Sequence, residues 1–502
     1  MTASLESRLS HARRLVDQGQ LHAALEAYAR FVGEFPSFAE GWYEYAWLLR
    51  REGAAEQAMS AYARALALGI PGPEEVHLNR AVILSEDLAR PDAAIAELEY
   101  ALRLRPCYPP ALLNLGKLRE DLGSPGEAAA LYGTLFEVDS SGDLGIEALA
   151  RLVQIDPELN ATPTRLDRLE REAQRSERPA TLRASLWFAL ARCREVEGAI
   201  DAMFAALHSA NRLAAEGGPP YFPPALEQHV DALLAAPTLT LTAGSPGGSP
   251  APLIICGMFR SGSTLLEQVL NAHTGVVAAG ELPFFPRLAA GPLSACSAGA
   301  PLPATTVARI RGDYRALLSR ISVSSGKPSV RLVTDKRPDN VLLLGMIRQV
   351  LPDARILITR RNPMDTGLSV YQQHLSQSQA PYSTDLANIG HFQRQVHRIT
   401  EHFSEASPEQ VRVFDYDTFV GNPEAELRAL FDWLQLDFEP GCLRFHEQRN
   451  QVATASHAQV RRPLYRDSSG RWLRYAHHLE PLWVALGALA PRNPTRGRST
   501  TA

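Results

Sequence analysis

Hydrophobic positions follow two different patterns in the two parts of the chain. From residue 253 onward, short apolar runs alternate with segments whose apolar residues have helical spacing. The four runs are LIICG at 253–257, VRLVT at 330–334, ARILITR at 354–360 and VRVFDY at 411–416. Runs of this length, each followed by a helical segment, predict βαβ units and a mainly parallel sheet covered on both faces. Ligands of such sheets bind at the carboxyl ends of the strands.

The first part of the chain instead repeats with a period of 34 to 36 residues. A small residue recurs in each unit, followed four positions later by a large one; the pairs are Ala24 and Tyr28, Ala58 and Tyr62, Ala94 and Leu98, and Ala128 and Tyr132. Each unit is predicted to form two antiparallel helices. The alanine would allow the two helices to approach closely, and the large residue would pack between them. This pattern resembles the tetratricopeptide repeat over residues of about 8–137. A degenerate helical continuation is predicted to residue 236.

The segment PTLTLTAGSPGGSPAP at 237–252 separates the two patterns. Its Gly, Pro and Ser content predicts a flexible or extended connection. The predicted fold class is therefore an α-helical repeat solenoid at 1–236, a linker, and an α/β domain at 253–490 with a mainly parallel sheet. Residues 491–502 are predicted to be a disordered tail.

Composition narrows the function classes. The chain has 502 residues, a net charge of −4 and 45% hydrophobic residues, so no basic field is available to recruit nucleic acid or anionic membrane. The five cysteines lie far apart without a C-x-x-C pair, which argues against disulfides and a zinc site. The N-terminal residues are charged, and no apolar run reaches the roughly 18 residues of a membrane span. We therefore predict a cytoplasmic enzyme or binding protein without nucleic-acid or membrane partners.

The segment GMFRSGST after the first apolar run has the outline of a phosphate-binding loop. Gly257 and Gly262 keep the spacing of G-x-x-x-x-G-K-[ST], but Ser263 stands where the lysine would reach the β- and γ-phosphates of ATP. A helix that starts at Ser263 would point its N-terminus at a bound anion. The spacing predicts phosphate binding, and the missing lysine disfavours ATP.

The run ARILITR ends in two arginines, where an NTPase would place an aspartate to hold Mg²⁺. Arg361, at the strand end, and Ser369, about two helical turns into the next segment, are eight residues apart and could face one phosphate. The sequence therefore predicts a second anion at this position and no metal.

Together, the segments RSGST, GE, TDK, RRNPMDTGLS, TASHAQVRRPLY and GRW occur in the order found in the sulfotransferases that use 3′-phosphoadenosine 5′-phosphosulfate (PAPS). The second half of the chain, from 253 to about 485, resembles this family. The similarity is greatest to the tyrosylprotein branch and to bacterial proteins that join tetratricopeptide repeats to such a domain.

The resemblance implies which residues hold the nucleotide. The 5′-phosphosulfate would lie on the loop, Arg361 and Ser369 would hold the 3′-phosphate, and Arg471 stands where the family usually has lysine. Tyr416, which ends the run VRVFDY, completes the predicted contacts. The loop residues are Arg260, Ser261, Gly262, Ser263 and Thr264.

The resemblance also implies catalytic roles. Glu281 would be the base that takes the proton from the acceptor hydroxyl, and Lys336 would neutralise the charge that develops on the sulfuryl group. Arg260 and Ser456 would contact the same centre. The alternatives are a helix cap or surface carboxylate for Glu281 and a solvated loop lysine for Lys336.

The leading hypothesis is metal-independent transfer of a sulfuryl group from PAPS to a hydroxyl, with release of 3′-phosphoadenosine 5′-phosphate (PAP). A tyrosine in a peptide or protein is the expected acceptor, and the repeat array either presents it or supports the fold. Carbohydrates and small phenols remain alternative acceptors. A nucleotide-dependent kinase and a non-catalytic repeat scaffold are alternative functions.

Overall fold

Contacts divide the chain into two compact units, residues 1–165 and 166–502. A computed structural model describes residues 2–88, 90–236, 250–291, 293–448, 452, 454, 459–464 and 468–491. The predicted linker and tail therefore lie mainly outside the described residues.

The first unit is a series of helices that pack in antiparallel pairs. Its helices are α1 Thr2–Asp17, α2 Leu21–Glu34, α3 Ala39–Arg51, α4 Ala55–Ala67, α5 Pro73–Val82, α6 Pro91–Leu104, α7 Pro109–Asp121, α8 Pro125–Val138, α9 Asp143–Ile155 and α10 Pro157–Asn160. A π-helical turn, Ile83–Asp87, follows α5. The helical array that the period predicts is confirmed.

The repeated small and large residues form the interior of these pairs. All four repeated alanines are buried, and so are the four large residues that follow them. A Cβ on Gly116 of α7 would lie 2.4 Å from the ring of Tyr132 on α8. Gly116 thus packs as closely as a small residue allows, and the four repeated alanines are 0% exposed, so a larger side chain at those positions would have to displace its neighbours.

The helices before the linker pack on the later part of the chain. They are α11 Pro163–Gln174, α12 Ala180–Val196, α13 Ile200–Glu216 and α14 Pro223–Ala235. Asn211 donates through Nδ2 to the carbonyl oxygen of Tyr371 at 3.0 Å, and the ring of Phe204 stacks on His478 with centroids 4.1 Å apart. The helices are present as predicted, but their contacts place residues 166–236 in the second unit, whereas the repeat pattern groups them with the first.

The second unit contains a five-stranded parallel sheet among the described residues. Its strands are β1 Ala251–Gly257, β2 Val276–Ala278, β3 Leu332–Lys336, β4 Arg355–Arg360 and β5 Val411–Asp415. The order is β2-β3-β1-β4-β5, and all the strand pairings are parallel. The four apolar runs correspond to β1, β3, β4 and β5, so the α/β fold class is confirmed. The short strand β2 was not predicted.

Helices connect and cover the strands. They are α15 Ser263–Asn271, α16 Phe284–Ala289, α17 Ser294–Ser297, α18 Ala304–Ser324, α19 Leu344–Val350, α20 Pro363–Tyr371, α21 Leu386–Ala406, α22 Tyr416–Gly421, α23 Pro423–Leu434 and α24 Glu480–Leu486. Short 3₁₀ segments lie at Pro338–Leu343, Pro381–Thr384, Pro440–Glu447, Arg471–His478 and Gly487–Leu489. None of the helices in the described ranges has the length and apolar character needed to cross a membrane.

Both faces of the sheet are buried, which directs the polar chemistry to its edge. Leu253 and Ile255 of β1 pack with Leu266 of α15 in one apolar cluster. Side chains alternate between faces along a strand, and Ile254 and Cys256 on the other face are equally buried. Polar side chains therefore lie where the strands end, as Lys336 does at the end of β3 and Arg360 at the end of β4.

We expect a chain of residues 166–502 to unfold cooperatively and a chain of residues 250–502 to be unfolded or aggregated. Removal of α11 to α14 would expose apolar surface that packs on these helices, including Tyr371. Thermal melting followed by circular dichroism would test this. A cooperative transition of the shorter chain at the same temperature would contradict the assignment of these helices to the second unit.

Candidate active site

The first strand runs into a tight loop that has no room for side chains at its two glycines. Gly257, which ends β1, has φ +134°, and a Cβ there would lie 2.6 Å from the carbonyl oxygen of Thr359. Gly262 has φ +99°, and its Cβ would lie 2.7 Å from a ring carbon of Tyr416. Both positions therefore require glycine, which explains their spacing in the sequence.

Hydroxyl groups fix the shape of the loop. Ser261 donates through Oγ to the carbonyl oxygen of Met258 at 2.6 Å, and the same Oγ lies 2.6 Å from Thr359 Oγ1. Thr359 in turn donates to the carbonyl oxygen of Cys256 at 3.1 Å. The Ser261 side chain thus lies against β4 and stabilises the loop that follows β1.

The helix that follows the loop presents free backbone amides at its start. Gly262 is the N-cap of α15, and no described side chain caps this helix end. Ser263 and Thr264 form the first turn and are both buried. The N–H groups of a first turn have no partner within the helix and carry the positive end of its dipole, so they attract an anion.

Arg260 joins the loop to the predicted second anion position. Its backbone is left-handed, with φ +68°, a conformation that is uncommon for residues with a side chain and is often found at functional sites. Its Nε donates to Ser369 Oγ at 3.0 Å, and its Nη2 donates to Gln459 Oε1 at 2.9 Å. The loop arginine and Ser369, 109 positions apart, are therefore in direct contact.

Arg361 lies beside the same loop. Its Nη1 donates to the carbonyl oxygen of Arg260 at 3.4 Å, its Nη2 donates to the carbonyl oxygen of Ser468, and its guanidinium lies 4.9 Å from the centre of the Tyr416 ring. Its Nε is buried and has no hydrogen-bond partner among the described residues. A buried donor without an acceptor is costly, so this nitrogen is well suited to an anionic ligand.

Three arginines line one small cavity beside the loop. They are Arg260, Arg361 and Arg462, and Gly262 and Tyr416 form part of the same wall. Like charges facing one cavity favour an anionic ligand there. Arg462 is not among the predicted site residues, although it lies in TASHAQVRRPLY, one of the segments that resemble the family.

The predicted base and the predicted lysine form a close ion pair. Lys336, the last residue of β3, has a side chain that is 0% exposed, and its Nζ donates to Glu281 Oε1 at 2.6 Å. The side chain of Glu281 is 27% exposed, so one end of the pair can be reached from solvent. Lys336 pairs with Ile255 across the sheet, which places it beside the strand that enters the loop.

Asp335 is next to Lys336 but lies on the opposite face of the strand. Its carboxylate accepts a hydrogen bond from the hydroxyl of Tyr314 at 3.1 Å. Burial raises the pKa of Asp335 to about 7. Because successive strand residues point in opposite directions, Asp335 does not share the face that carries the ion pair.

Arg471, predicted to contact the nucleotide, is bound by protein side chains. Its Nη2 pairs with the carboxylate of Glu195 on α12 and donates to Gln372 Oε1 at 2.8 Å. The same carboxylate accepts from the Tyr475 hydroxyl at 2.9 Å. The contact of Arg471 with the nucleotide therefore remains a prediction, and the structure shows a protein carboxylate as its partner.

Ser456 lies outside the described residues, so its predicted role stays a prediction. Thr454, two positions earlier, lies with its Oγ1 3.3 Å from Thr264 Oγ1. Thr454 therefore lies beside the first turn of α15. Across the described ranges, no three His, Cys, Asp or Glu side chains are grouped so that they could hold a metal ion.

Comparisons with known proteins match different families to the two parts of the chain. Residues 252–440 match the model of the sulfotransferase family, and residues 9–73 and 83–135 match a tetratricopeptide repeat model. An uncharacterized protein of Aquifex aeolicus strain VF5 is 33% identical over 245 residues, which are 47% of this chain and 32% of the relative. The chain thus spans about a third of the length of that relative.

Solved structures with similarity to each part have low sequence identity. The sulfotransferase domain of the olefin synthase of Synechococcus PCC 7002 is 19% identical, with a TM-score of 0.34, over 45% of this chain and 88% of that domain. A sulfotransferase of Alicyclobacillus acidocaldarius is 18% identical, with a TM-score of 0.27, over 50% of this chain and 99% of the other. A tetratricopeptide repeat protein of Parabacteroides merdae ATCC 43184 is 18% identical, with a TM-score of 0.35, over 43% of this chain and 85% of the other.

We expect Arg361→Ala to weaken PAP binding by about 10- to 100-fold, as loss of a charge-assisted hydrogen bond does. Arg360→Ala is the matched control, because the Arg360 side chain is 56% exposed and pairs with Asp415. Thermal melting of each variant over a range of PAP concentrations would measure the affinities. Equal losses in the two variants would show that Arg361 has no special part in binding.

Proposed function

We propose that this chain, which joins tetratricopeptide repeats to a sulfotransferase family domain, transfers a sulfuryl group from PAPS to an acceptor hydroxyl. The observation that carries the proposal is the Lys336–Glu281 pair, with Nζ and Oε1 2.6 Å apart, at the sheet edge next to a lysine-free phosphate loop. The alternative of a surface carboxylate and a solvated lysine is disfavoured, since the Lys336 side chain is fully buried.

The residues present fit the donor nucleotide. The uncapped first turn of α15 and the loop amides would hold the 5′-phosphosulfate. Arg361, with its unpaired buried Nε, and Ser369 would hold the 3′-phosphate, with the ring of Tyr416 beside them. PAPS supplies the sulfuryl group on a phosphate leaving group, so no γ-phosphate has to be reached by a loop lysine.

Glu281 is the proposed base. Its partly exposed carboxylate would take the proton from the acceptor hydroxyl, at the end of the ion pair that solvent can reach. Proton transfer to Glu281 neutralises the carboxylate that faces Lys336. The buried ammonium then lacks its counter-charge and is available to the negative charge that develops at the reacting centre. The two residues therefore act as one unit.

A tyrosine in a peptide or protein is the acceptor that we propose. Its support is the resemblance to the tyrosylprotein branch and the repeat array, since tetratricopeptide repeats commonly mediate contacts with proteins. Carbohydrate and small phenolic acceptors are the competing possibilities. The cytoplasm, predicted from the dispersed cysteines, is the proposed location.

An alternative function as a nucleotide-dependent kinase lacks its characteristic residues in this structure. Ser263 occupies the lysine position of the loop, and Arg360 and Arg361 follow β4 where an Mg²⁺-binding aspartate would be expected. Stabilisation by Mg·ATP that exceeds stabilisation by PAP in a melting assay would favour the kinase over our proposal.

We expect Glu281→Gln to lower the rate of label transfer from radiolabelled PAPS by about 10²- to 10⁴-fold, the usual contribution of a general base. Lys336→Met should cost about 3 kcal/mol of transition-state stabilisation, or roughly a hundredfold in rate. Glu424→Gln is the matched control, because Glu424 pairs with Arg428 on the surface. Similar rates for Glu281→Gln and the wild type would contradict the assignment of the base.

The acceptor can be tested with the same label. We expect incorporation into a library of tyrosine-containing peptides and none into the same library with phenylalanine in place of tyrosine, because the hydroxyl oxygen forms the new bond to sulfur. Oligosaccharides and small phenols should be offered in parallel. Label that enters only these compounds would overturn the tyrosine proposal while leaving the sulfuryl transfer intact.

A further inference from the structure

A further buried carboxylate, that of Glu267, lies near the Lys336–Glu281 ion pair. Glu267 lies in the second turn of α15 with 3% exposure, and none of the described residues forms an ion pair with it. Burial raises the pKa of Glu267, and the nearby charge of Lys336 opposes that effect. An acidic side chain at such a position is costly unless its hydrogen bonds are satisfied.

The contacts of Glu267 connect the two residues of the ion pair. Its Oε1 accepts from the backbone N–H of Gly280 at 3.1 Å and from the hydroxyl of Thr334 at 2.7 Å. Gly280 directly precedes Glu281. Thr334 precedes Lys336 by two positions in β3, so both side chains lie on the same face of the strand. One oxygen atom therefore holds the backbone before the base and the strand before the lysine.

Further hydrogen bonds close the same arrangement. The backbone N–H of Lys336 donates to the carbonyl oxygen of Gly280 at 2.9 Å, and the N–H of Ala279 donates to Thr334 Oγ1 at 3.4 Å. The Gly280 peptide is thus fixed on both sides, by Glu267 and by β3. Glu281 follows this fixed peptide, and its side chain accepts a hydrogen bond from Lys336.

The position of Glu267 in α15 also connects the pair to the loop. The helix begins at Ser263, where its amides face the anion position, and Glu267 follows one turn later. The carboxylate therefore ties the helix that would hold the nucleotide to the residues that would handle the acceptor proton. Sequence alone gave no signal for this, since Glu267 occupies an ordinary helical position in TLLEQVL.

We propose that Glu267 is a positioning residue that holds Glu281 and Lys336 in register with the phosphate loop. This inference rests on the proposed function. Its essential property is the hydrogen-bond acceptor at Oε1, which glutamine also supplies. Alanine at this position would release the Gly280 peptide without touching the loop amides.

Hydrogen exchange tests the inference without any assay of activity. In the wild type the Gly280 N–H should exchange slowly, because it donates to a buried acceptor. In Glu267→Ala its exchange should become about 10- to 100-fold faster, whereas in Glu267→Gln it should remain slow. Fast exchange in the wild type, or unchanged exchange in Glu267→Ala, would overturn the inference even if PAPS is the donor.

Kinetics then separate positioning from general stability. For Glu267→Ala we expect kcat to fall by about 10- to 100-fold, with KM for PAPS within about threefold of the wild type, since interactions made in the transition state are lost. Glu267→Gln should restore kcat to within about threefold. Gln268→Ala is the matched control, because Gln268 is the next residue of α15 and is 4% exposed.

Thr334→Val provides a second variant if Glu267→Ala fails to fold. It removes one donor to Glu267 with little change of shape. We expect kcat to fall by a few-fold and the thermal stabilisation by PAP to stay unchanged. Equal losses of kcat in Glu267→Gln and Glu267→Ala, or in Gln268→Ala and Glu267→Ala, would overturn the inference. A wild type that binds PAP but transfers no label would instead contradict the proposed function. The hydrogen-exchange result does not depend on that function.

Discussion

The candidate site depends on a fully buried ammonium group. Lys336 is enclosed at the end of β3, and an isolated charge in such a place would be strongly unfavourable. Glu281 supplies the counter-charge, and removal of one partner from a buried pair typically costs about 3–5 kcal/mol. Since the two residues are far apart in the chain, the fold must bring the end of β3 and the segment after β2 to the same edge of the sheet.

The parallel sheet provides this arrangement. Its strands are apolar on both faces, so polar side chains gather at their carboxyl ends, where β1 gives way to the loop and β4 ends in two arginines. Gly257 and Gly262 allow the loop to approach Thr359 and Tyr416 more closely than any side chain would permit. The loop before α15 and Lys336 therefore lie at the carboxyl ends of the neighbouring strands β1 and β3.

Features with a local cause were predictable from the sequence. Buried strands are continuous apolar runs, and the close packing of helix pairs requires a small residue once in each repeat, so four strands and the repeat array followed directly. The loop was evident from Gly257 and Gly262, since its geometry depends on glycine. The strand β2 has three residues, too few for a periodic pattern to show.

Features that depend on contacts between distant segments were not predictable. The pair of Arg471 with Glu195 joins residues 276 positions apart, and it leaves Arg471 bound to a carboxylate of α12. The packing of α12 and α13 on later residues of the second unit was not predictable for the same reason, because an amphipathic helix does not reveal which surface its apolar face meets. Glu267 is an ordinary helical residue in sequence, and its proposed role depends on its contact with the Gly280 peptide.

A crystal structure of the protein with PAP would test the proposed site most directly. We expect the 5′-phosphate on the first-turn amides of α15 and the 3′-phosphate against Arg361 and Ser369, with Lys336 and Glu281 facing the 5′ end. A nucleotide bound away from the loop, or bound with its 5′ end directed away from Lys336, would contradict the proposed site.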